Sequence, residues 1–115
     1  MVNNSKKGPI YKLADAKKLA QLGKVHVVTR KARNNLEDLE WDDTNIATLI
    51  AALENRHYKK SYSYKLSDSR TNDCDAYVIH FDHKTMQEEK YSSDLYVKFA
   101  ISQTGHLLLI FSCHY

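Results

Sequence analysis

Apolar positions in the first half of the chain recur at helical spacing. In Leu13–Leu22 (LADAKKLAQL), Leu13, Ala16, Leu19, Ala20 and Leu22 fall near one face, with lysines elsewhere, and predict a first helix. Gly23 supplies its stop, because glycine adopts the left-handed conformation that closes many helices. Lys24–Val28 (KVHVV) is short and β-branched and predicts a brief strand. Thr29 is placed to cap a second helix ending near Leu39, with Ala32, Leu36 and Leu39 as its apolar stripe. Trp41 follows as core at a helix–helix junction. Asp42 or Asp43 then caps a third helix, in which Ile46, Leu49, Ile50 and Leu53 repeat at i, i+3, i+4 and i+7.

The period changes after Asn55. Tyr58–Tyr64 (YKKSYSY) alternates, with Tyr58, Lys60, Tyr62 and Tyr64 on one side and Lys59, Ser61 and Ser63 on the other. Leu66–Asp73 reads as a polar loop and Cys74–Phe81 as a strand. Asp82–Ser93 is polar again, and its Glu88-Glu89 pair is expected to be solvated. Leu95–Ile101 alternates strictly, with Val97, Phe99 and Ile101 opposite Tyr96, Lys98 and Ala100. Gln103-Thr104-Gly105 is a hairpin turn. His106–Cys113 is nearly all apolar, as a central strand should be, with Leu109 and Phe111 expected inward and Ser112 and His114 outward. Helices first and an antiparallel meander afterwards predict an α+β fold, with N-terminal helices packed on one face of a C-terminal sheet.

A length of 115 residues holds one domain. With 43% apolar and 27% charged residues the chain is neither disordered, collagenous nor a coiled-coil rod. No apolar run approaches the ~18 residues of a membrane helix. Met1–Gly8 lacks the apolar stretch of a secretory signal, and Cys74 and Cys113 are the only cysteines. A reduced, cytoplasmic protein without membrane contact is expected. The net charge of +3 hides an asymmetry: residues 1–33 carry nine basic side chains and one acid, whereas residues 34–57 carry six acids and one base. A block of that sign attracts a phosphate backbone, or simply keeps a helical face solvated.

The sheet's open face carries the candidate chemistry. Pairing across the hairpin brings Tyr96 near Ser112 or Cys113, close to His114. Lys59, Lys60, Tyr96, Lys98 and His114 then form a cationic and aromatic surface. Lysines bind phosphate, histidine exchanges a proton near neutral pH, and tyrosines stack on unpaired bases. Such a set suits RNA cleavage without a metal: a base takes the 2′-OH proton, a cation steadies the phosphorane, and an acid protonates the leaving 5′-oxygen. The plain alternative is an ordinary polar sheet face. His80 and His83 match no strong metal-ligand spacing, so neither a metal nor another cofactor is expected. Asp73 and Asp75 would raise the Cys74 pKa and disfavour it as a nucleophile. No phosphate loop, dinucleotide fingerprint or nucleophile elbow is present, and three glycines leave little room for one.

Taken in order, several segments resemble the MqsR-type toxins, mRNA interferases of toxin–antitoxin pairs. The segments are Tyr11-Lys12-Leu13-Ala14-Asp15-Ala16-Lys17, Gly23-Lys24-Val25 with Thr29-Arg30, His57-Tyr58-Lys59-Lys60-Ser61, Asp94-Leu95-Tyr96-Val97-Lys98, and Leu109-Ile110-Phe111-Ser112-Cys113-His114. The resemblance implies a RelE-like domain over residues 10–115; the polar, basic stretch before it, residues 1–9, is expected to be disordered. It implies sequence-selective cleavage of mRNA and neutralisation by a cognate antitoxin. The family's catalytic lysine falls on Lys59 or Lys60 and its tyrosine on Tyr96. Cys74 stands where the family has glutamine, and His114 where it has lysine.

The resulting site expectation is catalysis by Lys59, Lys60, Tyr96 and His114, with Lys98, Arg70, Tyr62 and Cys74 binding RNA. No small-molecule ligand is expected. Two alternatives share the fold: a non-catalytic RNA-binding or regulatory module, and a protein-interaction domain.

Overall fold

Each helix is set by its ends as much as by its stripe. A computed structural model describes residues 8–65 and 71–115; the head of the chain and Arg70 lie outside the described residues. Helix α1 (Leu13–Gln21) closes as expected at Gly23, whose φ is +74°. The Gly23 N–H donates to the Ala20 carbonyl and the Lys24 N–H to that of Leu19, which satisfies two carbonyls at the helix end. Thr29 caps α2 (Arg30–Asp38) by accepting from the Ala32 N–H at 3.0 Å. Asp42 is the acid that caps α3 (Asp43–Ala52), with Asn45 completing a reciprocal capping box.

Strand β1 (Val25–Val27) is followed, beyond the helices, by β2 (Tyr58–Lys65), β3 (Thr71–Asp82), β4 (Gln87–Glu88), β5 (Asp94–Ile101) and β6 (Leu108–His114). The sheet order is β1-β6-β5-β3-β2, with the short β4 paired to β3. The predicted meander is therefore present, but β1 adds to it in parallel beside β6 and makes the sheet mixed. Two elements escaped the sequence reading: β4, inside the expected polar loop, and a 3₁₀ turn at Asn55–His57. Among the described residues, no helix is long and apolar enough to cross a membrane.

The main core lies between the helices and one sheet face. Ala16, Ala20, Leu36, Trp41, Ile46, Leu49, Ile50 and Leu53 pack there against Tyr77, Ile79, Phe81, Val97 and Phe99. Complete burial of Leu49, Ile50 and Leu53 contributes roughly 1.5–3 kcal/mol each. Trp41 is buried as expected, edge-on to Phe81 with ring centroids 6.1 Å apart.

Two β-bulges correct the expected faces. In β6 the residues inward with the main core are Leu108, Ile110 and Cys113. Leu109 and Phe111, expected inward, instead join Cys74 and Ala100 in a second cluster. The register slips by one between Lys98 and Phe99, so Phe111 is the extra residue and Ser112 and His114 still face outward, opposite Lys98 and Tyr96. A second irregularity between Tyr58 and Lys60 turns Tyr58 into the core, against Tyr77, and separates it from Lys60 and Tyr62.

Candidate functional site

The open sheet face is built on small residues. Cys74 and Ala76 of β3 are fully buried beneath its neighbours. Strands β2 and β5 flank β3, about 10 Å apart at the usual strand spacing, so long side chains meet across it. Lys98 Nζ lies 4.8 Å from the Tyr62 ring centroid, and Lys60 Nζ lies 4.9 Å from the same ring. Both distances are within cation–π range. Tyr62 also hydrogen-bonds Tyr96. Tyr96 and His114 stand directly opposite each other, with ring centroids 5.3 Å apart. The fold thus brings Lys60, Tyr62, Tyr96, Lys98 and His114 from three strands into one continuous cluster.

The cluster's protonation follows from its packing. Burial, then the hydrogen bond to Tyr62, pushes the Tyr96 phenol well above the ordinary tyrosine range. Tyr96 is therefore a protonated hydrogen-bond donor at neutral pH, not a base. Burial lowers the Lys98 ammonium, partly opposed by Tyr62. His114 Nδ1 lies 3.0 Å from the Tyr115 carbonyl, which can only accept. Nδ1 therefore carries the proton, and Nε2 of the neutral ring keeps its lone pair.

Lys59 and Lys60 have different surroundings. Lys59 sits at the β2 irregularity and lines a neighbouring cleft of about 310 Å³ with His57, Val78, His80, Glu88 and Asp94. His57 is buried; its Nδ1 accepts from the Glu54 N–H at 2.9 Å, which directs Nε2–H to Glu88 at 2.9 Å. Arg56 bonds Glu88 and Glu54, each at 2.7 Å. Arg56 first, then His57, holds the Glu88 carboxyl below the usual glutamate range. Glu88 is thus paired, not merely solvated as the sequence suggested. His80 bonds Asp94 and the Ser92 carbonyl, both at 2.9 Å, while His83 packs against Tyr115. Among the described residues, no three His, Cys, Asp or Glu side chains are grouped to hold a metal.

Cys74 requires a correction. It was expected to touch RNA, but it is fully buried under the cluster and serves as its floor. Burial, with smaller contributions from Asp75 and Asp73, pushes its thiol up to about 12, so it stays protonated. Arg70 lies outside the described residues.

The sequence reading missed the carboxylate that anchors this face. Asp75 is fully buried and accepts from the Ile10 N–H at 3.0 Å, the Tyr11 N–H at 2.9 Å and the Ser61 hydroxyl at 2.7 Å. Ser61 in turn meets the Tyr58 hydroxyl at 2.7 Å, and Tyr58 donates to the Gly8 carbonyl. The network ties the lead-in of α1 to the segment of β2 that carries Lys60 and Tyr62. One signal was available: Asp75 shares strand parity with Tyr77, Ile79 and Phe81 and so belongs to the core face. A cavity of about 830 Å³ lies elsewhere, between this lead-in and Glu54-Asn55.

The architecture is a single-sheet α+β domain with helices on one face and a Lys/Tyr/His cluster on the other. Among known families, the model described as "Motility quorum-sensing regulator, toxin of MqsA" matches residues 8–113, and the chain belongs to that family. It is accordingly a toxin of a toxin–antitoxin pair, with an antitoxin as its partner. A search of curated proteins finds no match.

Proposed function

We propose that the toxin is a metal-independent endoribonuclease that cleaves mRNA at selected sequences and thereby arrests growth. The observation that carries this reading is the Tyr96–His114 pair, 5.3 Å apart, beside the Lys98–Tyr62–Lys60 contacts. His114 Nε2 takes the proton from a ribose 2′-OH. The 2′-oxygen attacks the adjacent phosphorus and the bond to the 5′-oxygen breaks. The products are a 2′,3′-cyclic phosphate and a 5′-hydroxyl, the latter receiving a proton from imidazolium or water. Lys98 and Lys60 offset the charge that builds on the phosphorane, which is where preorganised cations lower a barrier most. Tyr96, held protonated, donates a hydrogen bond to a phosphate oxygen. Tyr62 offers a face to a neighbouring base. Of the two adjacent lysines, Lys60 is assigned to catalysis because it shares the Tyr62 ring, whereas Lys59 lines the adjoining cleft.

The test is incubation with a long mixed-sequence RNA in excess EDTA, beside a His114→Ala control. Discrete cuts ending in 2′,3′-cyclic phosphate, lost in the variant, are expected. Intact RNA with wild-type protein overturns cleavage of free RNA and leaves an RNA-binding or ribosome-dependent role.

A further inference from the structure

The cluster runs across the open face from β2 to the His114 end of β6. At the other edge, β1 lies parallel to β6, with His26 paired to Leu109. Val25 and Val27 pack toward the main core, so alternation turns His26 outward onto the face that carries Tyr96 and His114. Val28 packs against the Leu109–Phe111 cluster, and Thr29 donates to the Phe111 carbonyl at 3.0 Å. Helix α2 therefore starts at the rim of the open face. Its first two residues are Arg30 and Lys31, both exposed, and Lys24 is exposed just ahead of β1.

None of Lys24, Arg30 and Lys31 has a carboxylate partner among the described residues. Folding does not account for them. In α2 the cations Arg30, Lys31 and Arg33 come first, and the acids Glu37 and Asp38 come last. That order opposes the helix dipole at both ends, where a helix selected for its own stability carries the reverse. Arg33 has an internal use, since its Nη1 donates to the Val27 carbonyl at 3.1 Å. Arg30 and Lys31 have none. Between this rim and the Tyr/His cluster the surface is uncharged: Ala100 and Phe111 are buried there, and Leu109 is half-buried beside them. Two other lysines of the basic block, Lys17 and Lys18, ride on α1 on the helical side of the sheet.

We propose that Arg30 and Lys31, with His26 and Lys24, form a phosphate track for single-stranded RNA flanking the reacting nucleotides. The chain of the RNA crosses the sheet from the Lys60–Tyr62 side, over β6, to the β1–α2 rim. The proposal rests on the open face being RNA-binding; it adds a second subsite beside β6, at the end of that strand away from His114.

The experiment uses 2′-O-methylated RNA, which cannot be cut, so binding is read whether or not the protein cleaves. A short oligonucleotide of roughly 6 nucleotides and a long one of roughly 20 are titrated by fluorescence anisotropy across a salt series. The proteins are wild type, Arg30→Gln/Lys31→Gln and Lys24→Gln/His26→Gln. All four positions are exposed, and thermal unfolding of each variant checks that it is folded. Wild type should prefer the long RNA. For Arg30→Gln/Lys31→Gln, the long-RNA salt slope should fall in magnitude by about 1.4, from two lost single-strand contacts of about 0.7 each. Short-RNA binding should be unchanged. Equal slopes for wild type and variant on the long RNA overturn the track and leave this rim to a protein partner. Failure of wild type to bind either RNA overturns the reading of the open face itself, a different result from loss of the track alone.

Discussion

Asp75 is the most exacting test of how this face is held. Its carboxylate is fully buried and takes three hydrogen bonds, from the Ile10 and Tyr11 amides and from Ser61. In Asp75→Asn one oxygen becomes an NH₂. Ile10 donates to Oδ1 and Tyr11 to Oδ2, so in either amide orientation one main-chain N–H faces another donor. Losing a hydrogen bond to a charged acceptor costs about 1.5–3 kcal/mol. In Asp75→Ala both amides lose their partner, while Ser61 keeps the Tyr58 hydroxyl. Two orphaned, half-buried donors bring the cost to roughly 2–4 kcal/mol, a large share of the roughly 5–15 kcal/mol that holds a small domain. Urea denaturation followed by fluorescence reads both values as shifts of the midpoint at constant slope. Hydrogen exchange at the Ile10 and Tyr11 amides supplies the local readout, and both should lose protection before the rest of the fold. An Asp75→Asn protein within about 0.5 kcal/mol of wild type, the usual range of an exposed substitution, would refute the anchor.

Four further predictions follow from the same geometry. His114→Ala should lower cleavage by about 10²–10⁴-fold with RNA affinity nearly unchanged; equal losses in both would make it a binding residue only. Lys60→Ala should impair cleavage more than Lys59→Ala, and the reverse order would move catalysis toward the cleft lined by His57 and Glu88. The Tyr77 hydroxyl is buried without a partner among the described residues, so Tyr77→Phe should be neutral or stabilise by up to about 1 kcal/mol in the same urea assay; a clear loss would reveal a missed bond. The Glu88 pKa is depressed in the fold, so its pairing stabilises above the ordinary glutamate value and is lost as the pH falls through the depressed one. Glu88→Gln should therefore narrow the stability difference between neutral and acid pH, and an unchanged pH profile would contradict the Arg56–Glu88–His57 pairing.

Local chemistry was legible in the chain because it acts over a few residues. The helix stripes, the Thr29 cap and the Gly23 stop depend on neighbours within one turn, and they are found where the spacing puts them, except that Leu22 of the first stripe lies past the helix end and is exposed. The order of elements likewise followed from the change of period after Asn55. Membership of the toxin family was carried by short runs kept in sequence order, and the family match spans nearly the whole chain. That Tyr96, Lys98 and His114 share the outer face was readable from strand alternation and the hairpin, and the fold places them together with Lys60 and Tyr62.

Pairing between distant segments was not legible, because it depends on how strands fit and not on what they contain. Nothing in Val25–Val27 announces a parallel partner at Leu108–Ile110, yet that pairing carries His26 onto the open face. One extra residue in β6 reversed the expected sides of Leu109 and Phe111 while leaving His114 opposite Tyr96. Cys74 became a floor instead of a contact because it clusters with Ala100 and Phe111 and Tyr11 packs against them. Asp75 acquired its main-chain donors from residues more than sixty positions earlier. The residue types thus defined the chemistry on offer, while the register of the sheet decided which groups meet, since a shift of one residue sends every side chain to the opposite face.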